Sequence, residues 1–135
     1  MKHTRITLDQ PFDDAIARVT DALAQEGFGV ITRIDMDETF RAKLGVEFPR
    51  YTILGACNPK LAHEAVSAVP EIGLLLPCNV TVESAGGGDS VQVRIPDARE
   101  MLGGSGLSDA GEMRALAEDA GDRLERVAQH LRDGG

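Results

Sequence analysis

The chain carries two cysteines, Cys57 and Cys78, and an asparagine follows each of them, Asn58 and Asn79. A cysteine does chemistry as its thiolate, and a helix N-terminus favours that form. Cys57 directly precedes Asn58-Pro59, a pair that suits an N-cap and a first helical position, so the sequence places it at a helix start. Lys60 adds positive charge there, and His63 follows one turn later. Three kinds of chemistry fit these residues. Cys57 can serve as a nucleophile with His63 as base. Cys57, Cys78 and His63 can be ligands of a metal. The free N–H groups behind Asn58, with Lys60, can hold a small anion. Glu47, Arg50 and Tyr51 lead into the same segment and are candidate cleft residues. A plainer assignment stands beside each: thiols packed as small apolar groups, an ordinary cap, a solvated histidine, and a surface ion pair of Glu47 and Arg50.

The signals for a defined activity are sparse. Neither cysteine sits in a Cys-x-x-Cys pair, so the local pattern for zinc or thioredoxin chemistry is missing. No Gly-x-x-x-x-Gly-Lys or dinucleotide fingerprint occurs, and Gly86 to Gly88 reads as a turn between strands. Asp35, Asp37 and Glu38 lack the glycine and terminal glutamate of a calcium loop. Enzyme status therefore stays open, and no cofactor is indicated.

The elements around these residues follow from periodicity. Ile6 and Leu8 alternate with polar neighbours as a first strand. Phe12, Ile16, Val19 and Leu23 form the apolar stripe of a helix capped by Gly27. Phe28, Val30, Thr32 and Ile34 give a second strand, and Met36 to Leu44 a short helix ending at Gly45. Tyr51 to Cys57 is apolar on both faces, which predicts a covered interior strand. Leu61, Ala62, Ala65, Val66 and Val69 recur with helical period up to Pro70. Cys78, Val80 and Val82, then Val91, Val93 and Ile95, alternate with polar residues on either side of a glycine turn. That alternation marks an antiparallel sheet covered by helices on one face. Gly103 to Gly106 reads as a connector or hinge. Asp109 and Glu112 have capping-box spacing, opening an amphipathic helix over about 109–132. Asp119–Arg123 and Asp122–Arg126 are its expected i,i+4 pairs.

Ile53 to Pro59 (Ile-Leu-Gly-Ala-Cys-Asn-Pro) and Ile72 to Val80 (Ile-Gly-Leu-Leu-Leu-Pro-Cys-Asn-Val), with Gly45-Val46-Glu47 upstream, resemble the signature segments of the domain of unknown function 302 family. The resemblance runs from about Ile6 to about Ile95. It implies an α+β fold similar to the TATA-binding-protein type, in the order β-α-β-β-β-β-α, and a homodimer. It implies no activity. It also implies that the strands ending at Cys57 and starting at Cys78 are antiparallel neighbours. Both thiols and the Asn58 helix start would then meet in one small polar pocket, roofed by Ile72 to Pro77.

Composition bounds the rest. The 135 residues form one domain, large enough for a core without staples. A net charge of −8, one tyrosine and no tryptophan argue against nucleic acid as a partner. No apolar run approaches the roughly 20 residues of a membrane span, and Met1 to Leu8 is too short and polar for a signal peptide. A cytoplasmic setting with reduced thiols is expected. The leading functional expectation is a module that binds a small molecule, anion or metal near Cys57, Asn58 and Cys78. The alternatives are a thiol-dependent enzyme or redox protein using Cys57, and an interaction domain working through an open sheet face.

Overall fold

The computed structural model describes residues 1–103 and 111–133. Five strands form one antiparallel sheet: β1 (His3–Leu8), β2 (Gly29–Asp35), β3 (Tyr51–Cys57), β4 (Cys78–Ala85) and β5 (Ser90–Pro96). Their spatial order is β1-β5-β4-β3-β2. The helices are α1 (Phe12–Gln25), α2 (Met36–Leu44), α3 (Pro59–Ala68), α4 (Ala98–Gly103) and α5 (Gly111–Arg132), with a 3-10 helix at Pro70–Leu75. This is the α+β arrangement, with the expected β-α-β-β-β-β-α order once the short helices are set aside. Gly103 to Gly106 extends beyond the described residues, and so does Asp109 of the expected capping box.

Strand alternation builds the core. Ile6 and Leu8, Val91, Val93 and Ile95, Cys78, Val80 and Val82, and Leu54 and Ala56 all point to the helix side and are buried. Opposite register confirms the shared face: Ile6 pairs with Val93, Val93 with Val82, and Val80 with Leu54. Against them α1 packs Phe12, Ile16, Val19 and Leu23, and α5 packs Met113, Leu116, Leu124, Val127 and Leu131. α1 stops where Gly27 turns to φ +84°, a value that favours glycine, and Phe28 N–H donates back to the Leu23 carbonyl at 2.9 Å. α2 ends the same way at Gly45, with φ +66°. Among the described residues no helix is long and apolar enough to cross a membrane.

Four expectations need correcting. β2 does not alternate cleanly, because its pairing with β3 shifts register between Val30 and Thr32. Ile31 occupies the irregularity and is exposed, as is Ile34, so β2 is an edge strand with little buried surface. β3 is covered by helices on one face only; Tyr51, Ile53 and Cys57 are half-buried on the alternate positions. Val66 is exposed rather than part of a buried stripe, leaving Ala65 as the buried residue of α3. Finally, Asp119 does pair with Arg123 at 2.8 Å, but Asp122 turns to Arg99 and Arg126 turns to Glu26. Tertiary partners on α4 and at the end of α1 win over the neighbour one helical turn away.

Candidate functional site

β3 and β4 run antiparallel with Ala56 opposite Cys78, so the end of one and the start of the other share one end of the sheet. Cys57, Asn58 and Cys78 there line a cavity of about 40 Å³. Its remaining walls are apolar. Phe28 comes from the α1–β2 connection, Leu61 from α3, Leu76 and Pro77 from the segment before β4, and Leu102 and Leu116 from α4 and α5. The segment before β4 does flank the cavity, but the expected polar pocket is a greasy one. The reason is that α4 and α5 close it with their core-facing side chains.

Asn58 is the N-cap of α3: its Oδ1 accepts from Leu61 N–H at 3.3 Å, and Pro59 takes the first helical position. The cap is held by a close approach from α1. A Cβ on Gly27 would lie 2.9 Å from Asn58 Nδ2, so the left-handed turn that ends α1 leaves the space in which the amide sits. Arg123 of α5 donates to the Glu26 carbonyl at 3.1 Å and fixes the same turn. α1, α3 and α5 thus meet behind the cavity.

Burial sets the chemistry of the thiols. Desolvation pushes the Cys78 thiol up to about 11, and the nearby Cys57 pushes in the same direction. At neutral pH Cys78 is a protonated, buried thiol, able to pack against a ligand or offer a weak hydrogen bond. Cys57 is half-buried, and both cysteines are free.

The other expected site residues lie elsewhere. Lys60 and His63 are exposed on the outer side of α3. Asn79 is exposed and pairs in register with Gly55, on the sheet face opposite to Cys78. Glu47 faces Arg41 at 3.7 Å across the α2–β3 connection. Arg50 pairs with Asp13 at 3.1 Å and stacks over the Phe12 ring at 4.1 Å. Glu47 and Arg50 precede β3 and Cys57 ends it, so about 20 Å of strand separates them. No group of three His, Cys, Asp or Glu side chains among the described residues is placed to hold a metal, so His63 does not join the cysteines in a ligand set. The nearby acids are structural. Asp37 accepts from Tyr51 N–H at 3.1 Å. Asp35 accepts from Thr52 Oγ1 at 2.7 Å, and that bond, with Arg33, holds its carboxyl below the usual range.

Sequence reasoning missed the hydrophobic half of the cavity. Leu116 belongs to a visible apolar stripe, and Phe28 and Leu102 are visible apolar positions. Nothing local tells which strand end they cover.

A family model described as "Domain of unknown function DUF302" matches residues 4–131. Among solved structures, the chain is similar to an uncharacterised conserved DUF302 protein from Bacillus stearothermophilus, with 25% identity and a TM-score of 0.82. The match covers 97% of this chain and 98% of that one. No curated protein matches.

Proposed function

The chain belongs to the domain of unknown function 302 family, and we propose that within this fold it is a non-catalytic module binding a small, largely apolar ligand at Cys57, Asn58 and Cys78. One observation carries the reading: both thiols and the α3 cap line one cavity whose other walls are apolar. Such a site favours a neutral ligand with a soft or weakly polar head, because a charge there would be desolvated without a partner. An anion is less well served than the sequence implies, since Lys60 is exposed on α3 and the cap already occupies the Leu61 N–H. The module works in a reducing, cytoplasmic setting and as a symmetric homodimer. The dimer is supported by the exposed apolar side chains of Ile34, Val46 and Phe48.

Xenon and ethyl acetate are suitable probes, followed through the methyl resonances of Leu61, Leu76 and Leu116. Saturable shifts that disappear in Ala120→Leu, which fills the cavity, are expected. Cys57→Ser should weaken probe binding more than it lowers stability. Absence of saturable shifts overturns the reading, and a large stability loss with unchanged binding assigns Cys57 to the core.

A further inference from the structure

The helix-free face of the sheet carries a second concentration of polar groups, unconnected with the thiols. A cleft of about 230 Å³ lies there, lined by Met1, His3, Tyr51, Asn79, Thr81 and Arg94 with Pro96 at its rim. Arg5, Arg94 and Thr81 stand in register across β1, β5 and β4.

From three features of this face we infer a binding site for a small organic monocarboxylate, gripped by Arg94 and Thr81 with Tyr51 beside them. The first is unmet hydrogen bonding. Among the described residues, the buried side-chain polar atoms without a partner are Thr81 Oγ1 and Gln92 Oε1, and both lie on this face. Buried polar groups are almost always satisfied, so an orphaned hydroxyl beside a cleft points to a group that completes it. The second feature is an incompletely used guanidinium. Arg94 donates through Nη1 to Glu83 at 2.9 Å, and among the described residues no partner takes its other N–H groups. A planar fork of donors matches a carboxylate. The third is charge. Arg5 is placed directly opposite Arg94, and like charges across a strand pair repel. In a chain of net charge −8 this face is locally cationic, with Glu83 offsetting one of the two guanidinium charges. The surplus suits an anion, and the apolar lining favours an organic carboxylate over inorganic phosphate. Tyr51, Met1 and Pro96 supply apolar surface for the organic part.

Sodium benzoate is the probe, titrated into the full chain at low salt and followed by amide chemical shifts, with benzamide as neutral isostere and inorganic phosphate as competitor. Saturable benzoate binding is expected, with shifts centred on Thr81 and Arg94. Arg94→Gln should weaken it about tenfold, as loss of a charge-assisted contact does. Thr81→Val should also weaken it while preserving or raising the melting temperature, because it removes a hydroxyl with no partner in the free protein. Lys43→Gln, which removes a cation on α2, should leave it unchanged. Should Arg94→Gln fail to fold, Thr81→Val decides alone. The inference is overturned if benzoate does not saturate, if Thr81→Val binds as wild type does, or if benzamide or phosphate binds as well as benzoate.

Discussion

Pro77 stands over Gly55. A Cβ built on Gly55 would lie 2.8 Å from Pro77 Cγ and would overlap Thr32 Oγ1 from the neighbouring strand. The two signature segments of the chain therefore interlock: the glycine of the first leaves the space that the proline of the second fills, next to the thiol cavity.

Gly55→Ala should destabilise the fold by about 1–3 kcal/mol, the usual cost of overpacking a tight site. Thr32→Ala should recover part of that loss in the double variant, since it removes one of the two overlapping groups. Chemical denaturation of the four proteins measures the coupling. Equal stability of Gly55→Ala and wild type would show that the contact is easily relieved.

A second glycine makes a prediction of opposite sign in two backgrounds. Arg99 of α4 crosses α5 at Gly121, and a Cβ there would come within 2.7 Å of Arg99 Cγ and Cζ. Beyond that notch the guanidinium meets Glu118 at 2.8 Å, Glu125 at 2.7 Å, and Asp122. Gly121→Ala should destabilise the wild type by displacing Arg99. In an Arg99→Ala background it should stabilise by about 0.5–1 kcal/mol, the ordinary gain of alanine over glycine inside a helix. Stabilisation in both backgrounds, measured by thermal melts, would remove the packing role of Gly121.

The buried thiol makes stability fall at alkaline pH. Cys78 is raised from 9.0 to about 11 in the fold, so between these values the folded state holds a proton that the unfolded state has released. Its contribution is full below pH 9 and is lost as pH climbs towards 11. The loss is of the order of 2 kcal/mol, at about 1.4 kcal/mol per pH unit. Cys78→Ala should flatten that part of the profile relative to wild type. Parallel denaturation curves for the two proteins across pH 8–11 would contradict the burial argument.

The proposed dimer is checked by mass. Light scattering at micromolar concentration should give twice the chain mass of 14.4 kDa. Phe48→Glu and Ile34→Lys, both at exposed apolar positions, should shift it towards monomer. A monomer mass for the wild type ends the proposal.

What could be read from the sequence was whatever is decided locally. Asn58-Pro59 announces its helix because a cap and a first-turn proline act within four residues. Gly27 and Gly45 end theirs because the backbone turns left-handed there. The inward faces of β4 and β5 follow from strict alternation. Asp122 illustrates the limit. Its i,i+4 partner Arg126 is a sound local expectation, yet Arg99, 23 residues earlier, takes the carboxylate. The cavity is another case: the cap at Asn58 was legible, but that both thiols lie beside it was implied only by the family resemblance. Its apolar character comes from Phe28, Leu102 and Leu116, which only the tertiary packing brings there. The bulge at Ile31 left no mark in the local sequence of β2.

The pairing of the first strand with the last has a consequence for synthesis. Leu8 lies opposite Val91, which the ribosome adds 83 residues later. At about 5–20 residues per second the opening strand waits several seconds for its neighbour in the sheet. Ile6 and Leu8 have no β5 to pair with throughout that interval. Nascent chains halted before Ser90 should accordingly be the ones that chaperones hold, and those released after Pro96 has cleared the exit tunnel should not.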